Sequence, residues 1–472
     1  MKGVNMRKKK LLVSYFSGIV DVSHGENYSS LLRYFFPELV TNLVIYSLPF
    51  LIDSVFIAFL RSTSAYTTLT VTNTILHMLV KMGEGLAVGG LVLIGHYNGL
   101  KKFKEAGTVL VDLFWSVVVS AFVVSAILFF GAFWIYSAYR VPAEMIPMGV
   151  SFLRLRAIGM FFTFVYFALV GFLRGIKNTR VPMLIFMCGG TVLVLFDYLL
   201  IFGNCGFPKM GLNGSAVATL LQYSVMLIIG LCYIFFNNDT KKYGINLLRR
   251  VSSWKNVKSI FILAWPVMLD KIAFAGSYIW LGALIAPMGK YVLASYGLIK
   301  DMERFALMPA VAFAQIITFL VSNDYGRKDW DGIKTNVKKI VFLASAMVFL
   351  VLLVFSIWPE QIAMVFDQKG RFASFSAIVF PILSVLVFFD VLQLILSGAM
   401  RGAQQVKTVM WTRFFICFGC FFPLSYTISI LPIENSITKF LLLYGSFYVV
   451  TGFMSIIYIY RFRGEKWKTP TV

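Results

Sequence analysis

Residues 171–183 read GFLRGIKNTRVPM, and residues 398–410 read GAMRGAQQVKTVM. Each closes an apolar run, turns on an Arg-Gly pair and ends with a Met at the same offset. Arg174 and Arg401 stand 227 residues apart, as do Gly171 and Gly398, Gly175 and Gly402, and Met183 and Met410. Gly99 in HYNGLKKF and Gly326 in NDYGRKDW keep the same spacing. Agreement in register across several apolar runs, without a gap, marks a half-chain unit written twice.

The apolar runs say what that unit contains. The chain is 59% hydrophobic and only 14% charged, whereas soluble domains carry roughly a quarter charged residues. Runs of about 20 apolar residues, enough for a helix to cross the hydrocarbon core of a bilayer, fall near 39–60, 71–97, 108–137, 148–173, 182–203 and 212–236. Six more fall near 257–287, 291–322, 338–358, 372–400, 408–430 and 438–461. Strands of a membrane barrel would need only about ten alternating residues, so the expected fold is all-α and integral to the membrane, with twelve transmembrane helices. Six is even, so the second copy enters the membrane in the same direction as the first. Two parallel-related six-helix lobes around a central cavity are expected. The chain then divides into an arm (1–38), an N-lobe (39–236), a basic linker (237–259), a C-lobe (260–461) and a tail (462–472).

A net charge of +22 would suggest nucleic acid in a soluble protein. Here the basic residues gather at both ends and in every second loop, as in Lys101, Lys102 and Lys104, then Arg174, Lys177 and Arg180, then Arg327 and Lys328. The positive-inside rule therefore predicts cytoplasmic termini in a multi-pass protein of the cell inner membrane. The charge also favours anionic lipid, and no nucleic-acid partner is expected. No small-residue cleavage site follows the basic start, which is expected to remain as an arm. The five cysteines lie mostly within apolar runs, and the lone CxxC of Cys417 and Cys420 is expected to pack as small apolar side chains. A phosphate-binding GxxxxGK[ST], an HExxH and a GxSxG are all absent from the sequence, so neither ATP drive nor an enzyme activity is expected, and no cofactor.

A carboxylate at mid-membrane costs roughly 2.5–3.5 kcal/mol on insertion scales. Asp53, Asp197 and Asp390 lie deep in spans, with Glu84, Asp112, Asp270, Asp301 and Glu303 also inside or near span ends. Lys81 with Glu84, Lys300 with Glu303, and Asp301 with Arg304 are three apart and are expected to neutralise each other. Asp53 and Asp197 have no basic residue within helical reach. Carboxyl groups in apolar surroundings can load and release protons near neutral pH, which is the chemistry of a proton-coupled carrier. Pro37 and Pro49 permit helix bending, Pro49 one turn before Asp53.

The phrases LIDSVFIAF, GFLRGIKNTRVPM, LFDYLLIFGNCGFPKMGLNGSAVAT and FPILSVLVFFDVLQLILSGAMRG resemble the multidrug and toxic compound extrusion (MATE) family, part of the wider multidrug/oligosaccharidyl-lipid/polysaccharide exporter superfamily. The resemblance runs through all twelve spans. It implies a secondary active antiporter that exports organic, mostly cationic compounds in exchange for H+ or Na+ by alternating access. It further implies that Asp53, Asp197 and Thr219 form an N-lobe cation site, that Asp390 belongs to a C-lobe site, and that Pro37 precedes the first acidic residue. Asp270 and Glu84 are further candidates. Two positions depart from the pattern. Leu193 stands where relatives with a full N-lobe site often have Asn, and Phe274 stands where a sodium-binding branch has a glutamate. Sodium wants several oxygen ligands and a proton only one carboxyl, so H+ is the preferred coupling ion. The expected partners are a small organic cation and membrane lipid, with the chain acting as a monomer. The alternative is a flippase for lipid-linked oligosaccharide, with Arg154, Arg156, Lys271, Lys300 and Arg304 lining an anion-binding cavity.

Overall fold

The computed structural model describes residue 19 and residues 24–469, apart from 47, 139–141, 249–250, 252 and 367–371. Among these residues every regular element is a helix. In the first half they are α1 (Tyr28–Tyr46), α2 (Leu48–Phe59), α3 (Thr63–Gly99), α4 (Phe103–Ala138), α5 (Ile146–Gly175), α6 (Arg180–Phe202) and α7 (Leu212–Phe236). In the second half they are α8 (Trp254–Ile285), α9 (Lys290–Arg327), α10 (Trp330–Ile357), α11 (Pro359–Phe366), α12 (Ala373–Gly402), α13 (Val406–Ile416), α14 (Phe422–Ile430) and α15 (Ser436–Arg463). Helices are the only open elements that satisfy their own backbone in lipid.

Eleven stretches among the described residues are long and apolar enough to cross a membrane. The first expected span, near 39–60, is covered by α1 and α2, which are helical up to Tyr46 and from Leu48, residue 47 lying outside the described residues. Pro37 lies inside α1, and Pro49 is the second residue of α2. α13 and α14 are joined by a π-helical turn, Cys417–Phe421, within one span.

The described chain forms two compact units, one of residues 40–268, the other of the residues up to Leu39 together with those from Leu269 onward. In the first, α5 is central, with 72% of its apolar window buried, and α3, α4 and α7 pack on it. Phe152, Phe164 and Phe172 of α5 are fully enclosed, whereas α4 turns Phe122, Phe130 and Trp134 outward. An apolar exterior around an apolar core is what a lipid solvent allows. In the second unit α9 is central, 83% buried against 22% for the α13–α14 span, and it packs on α10 and α12.

The repeated phrase is a packing seam. A Cβ on Gly171 would lie 2.8 Å from the carbonyl oxygen of Ala87, and one on Gly175 would meet Ile94 and Leu91 of the same helix, α3. In the second unit a Cβ on Gly398 would lie 2.5 Å from the carbonyl oxygen of Ala314, and one on Gly402 would meet Thr318 and Val321 of α9. The contacted residues are themselves 227 apart, Ala87 with Ala314, Leu91 with Thr318, Ile94 with Val321. Each pair is a small-xxx-small stripe that lets two backbones approach. The chain also leaves these helices alike. Lys101 and Lys328 adopt left-handed φ of 60° and 59°, and Lys177 and Gln404 adopt 64° and 62°. Replacing Gly171 or Gly398 with Val is expected to cost about 1–3 kcal/mol through overpacking, seen as a lower thermal unfolding midpoint in detergent.

Polar contacts fix the chain ends of each unit. Asp112, fully buried on α4, accepts from the Ser253 backbone N–H at 3.2 Å and from Asn256 Nδ2 at 2.8 Å, and Trp115 Nε1 donates to the Leu247 carbonyl at 3.1 Å. Tyr243 donates to Asn98 Oδ1 at 2.8 Å, and burial pushes its hydroxyl up to about 12, so it remains a donor at neutral pH. In the other unit Lys339, 1% exposed, donates to the carbonyls of His24 and Glu26 at 3.3 and 3.1 Å. Asn336 accepts from the Glu26 N–H at 2.8 Å and donates to Asp324 at 2.9 Å. Replacing Asn336 with Ala strands that N–H, at about 1–3 kcal/mol, and hydrogen exchange at Glu26 is expected to accelerate.

Candidate functional site

α2 packs against α6, which sets Asp53 and Asp197 side by side. Both are almost wholly buried, at 1% and 0% exposure. Their carboxyl groups lie close enough to interact electrostatically. Neither oxygen of Asp197 has a hydrogen-bond partner among the described residues. Asp53 Oδ1 accepts from Ser215 Oγ at 2.8 Å. Ser215 and Thr219 are one turn apart near the start of α7, and Thr219 donates to the Ser215 carbonyl at 3.0 Å.

Into this group α5 sends Arg156. Its Nη1 lies 3.7 Å from Asp53 Oδ2 and donates to Thr219 Oγ1, and its Nη2 donates to Asn73 Oδ1 of α3 at 3.3 Å. The guanidinium also lies over the Phe152 ring, 5.8 Å from its centroid. This corrects the expectation that Asp53 lacks a basic partner: reach along one helix is a local measure, and Arg156 comes from another helix. Five elements thus hold one polar cluster of Asp53, Asn73, Arg156, Asp197, Ser215 and Thr219. Leu193 is core. Glu84 forms the expected pair with Lys81, at 3.2 Å.

The second unit has its own charged centre. Asp270 of α8 takes Arg401 Nη2 on one oxygen at 2.5 Å and Arg413 Nε on the other. Arg413, 3% exposed, lies over Phe274 at 4.4 Å from its centroid. Asp390 of α12 is 1% exposed and close enough to feel Arg413 electrostatically, and its Oδ1 has no hydrogen-bond partner among the described residues. Asp301 pairs with Arg304 at 3.5 Å as expected. The Lys300–Glu303 pair does not form. Glu303 turns inward, accepts from the Tyr444 hydroxyl and sits within electrostatic range of Asp390, while Lys300 lies over the Tyr296 ring at 5.7 Å. One turn back along the same helix, at i−4, an aromatic offers the ammonium a surface without desolvating a second charge.

Three groups went unrecognised from sequence: Arg156, read there only under the flippase alternative as lining an anion-binding cavity, the arginines Arg401 and Arg413, and Glu303, expected as the neutralising partner of Lys300 within its span. Arg413 lies five residues inside an apolar run, where a charge calls for a partner.

The sequence profile of the family described as MatE matches residues 37–199 and again 266–427, once in each half. The chain is 22% identical over 362 residues to the probable multidrug resistance protein YoeA of Bacillus subtilis, covering 75% of this chain and 76% of that protein. It is 24% identical over 351 residues to the probable multidrug resistance protein NorM of Bacillus cereus, with 73% and 76% covered. Its fold superposes on the Vibrio cholerae MATE transporter VcmN with a TM-score of 0.84 at 14% identity, covering 93% and 98% of the two chains. A MOP superfamily transporter of Pyrococcus furiosus gives 0.83 at 16%, covering 92% and 94%. The chain therefore belongs to the MATE family of membrane transporters and is not an enzyme.

Proposed function

We propose that this chain exports organic, mostly cationic compounds by alternating access in exchange for protons, and that the Asp53–Asp197 pair is the proton-binding group. The observation that carries the reading is the buried carboxyl pair, in which Asp197 has no hydrogen-bond partner among the described residues. Two neighbouring carboxyl groups repel each other when both are ionised, and one proton on the pair removes the repulsion. Multidrug export is supported by the names of the relatives.

Protonation of Asp53 weakens its attraction for Arg156, and that attraction links α2 to α5. Pro49 lies one turn before Asp53 and lacks a backbone N–H, which makes that turn the natural place for a bend. Thermodynamics then requires that proton and drug favour different states of the carrier. The Arg156 fork is engaged by Thr219, Asn73 and Asp53, which favours export of cations over capture of a lipid pyrophosphate.

The test is uptake of a fluorescent cationic dye into inverted vesicles carrying the chain, under an imposed pH gradient or an imposed Na+ gradient. Uptake driven by pH alone is expected. Uptake driven by Na+ alone would overturn proton coupling, and no dye movement from folded protein would overturn drug export.

A further inference from the structure

The two charged centres share one arrangement. In each, two buried carboxylates lie within range of one guanidinium that comes from another helix, Arg156 in the first unit and Arg413 in the second. We propose that Arg156 and Arg413 are built-in cations: each guanidinium holds the place beside a unit's buried carboxylates that a sodium ion would need, so that neither centre takes up Na+. The inference rests on the reading of these carboxylates as the coupling groups, and it adds the residues that decide which ion they accept.

A hard cation is held by several converging oxygens with lone pairs to give. In the first centre most of the oxygens already face a donor. Asp53 Oδ1 accepts from Ser215, Asp53 Oδ2 faces Arg156, and both Thr219 Oγ1 and Asn73 Oδ1 accept from Arg156. Only Asp197 is left with oxygens to offer. Two carboxylates and one guanidinium leave a single negative charge, which one proton neutralises without any further ligand.

In the second centre both Asp270 oxygens are engaged by arginines. Asp270 and Asp390 against Arg401 and Arg413 sum to no net charge. The nearby Glu303 holds the Tyr444 hydroxyl. Here the residue that would have to yield to sodium is Arg413, clamped between Asp270 and Phe274. An arginine is the side chain for this task because it does not lose its proton at any physiological pH, whereas a buried lysine does so readily.

The experiment is Na+ binding by the purified full-length chain, measured with radioactive sodium and, in parallel, as the thermal unfolding midpoint in NaCl against choline chloride at equal ionic strength. The wild type is expected to bind no sodium and to show the same midpoint in both salts. Arg156→Gln and Arg413→Gln, each checked for monodispersity, are expected to gain saturable Na+ binding and a sodium-specific rise on the order of 2 °C or more. Adding Asp197→Asn to the first variant, or Asp390→Asn to the second, is expected to remove the gain. Arg156→Lys, whose buried amine can shed its proton, is expected to exclude sodium while charged and to gain saturable Na+ binding as the pH is raised; it is the substitute if the Gln variant does not fold. Saturable sodium binding by the wild type that is lost in Asp53→Asn or Asp390→Asn would overturn the proposal, as would folded Gln variants that bind none. Failure of pH-driven transport in a wild type that still excludes sodium would sink proton coupling alone and leave this inference standing.

Discussion

Vesicles carrying Asp53→Asn or Asp197→Asn are expected to show no pH-driven dye uptake above background, whereas the double variant is expected to lose about 3–5 kcal/mol of folding stability as well. The two effects separate because Arg156 faces both acids. With one carboxylate removed, the other still lies within range of the guanidinium, so a single variant folds and can be assayed. With both removed, a nearly buried cation has no counter-charge, and breaking a buried pair from one side is far costlier than never having built it. Adding Arg156→Gln to the double variant is therefore expected to restore most of the lost stability without restoring transport. A double variant as stable as the wild type would show that Arg156 is solvated or held elsewhere.

Asp270→Asn is expected to be among the most destabilising single substitutions in the second unit, by about 3–5 kcal/mol, read from thermal unfolding of purified protein. One carboxylate there serves two arginines on opposite oxygens. Asn keeps one acceptor but no charge, so Arg401 and Arg413 would repel each other across the vacated position, with only Asp390 near Arg413 to compensate. Arg401→Gln is expected to cost much less, since Arg413 still neutralises Asp270 and Arg401 is itself 16% exposed. Equal losses for the two variants would mean that Asp270 acts as an apolar-sized spacer and that its charge contributes little.

The parts of the fold that depend on local composition were legible in the sequence. Run lengths identified the spans, and the 227-residue register identified the repeat, because glycines that permit close backbone approach leave few other residues possible. At the site, Asp53, Asp197 and Thr219 were identified by family resemblance and do lie together. Arg156 was seen but assigned to the wrong company. Its partner is 103 positions away, and no periodicity connects a residue on α5 to one on α2. Glu303 failed for a related reason: the i, i+3 rule supplies a partner within reach, and burial against Tyr444 supplies another that competes better.

The clip at Lys339 has a consequence for synthesis. Residues 24–26 are among the first made, yet Asn336 and Lys339, which hold them, follow some 310 positions later. At ribosomal speeds of about 5–20 residues per second, that interval is roughly 15–60 s. For all of it residues 24–26 wait for Asn336 and Lys339, whereas residues 40–268 have their own unit complete once Met268 has been made. A ribosome stalled before α10 therefore leaves these two contacts unmade whatever the state of the first unit, although α1 can already stack Phe35 on Phe313 of α9.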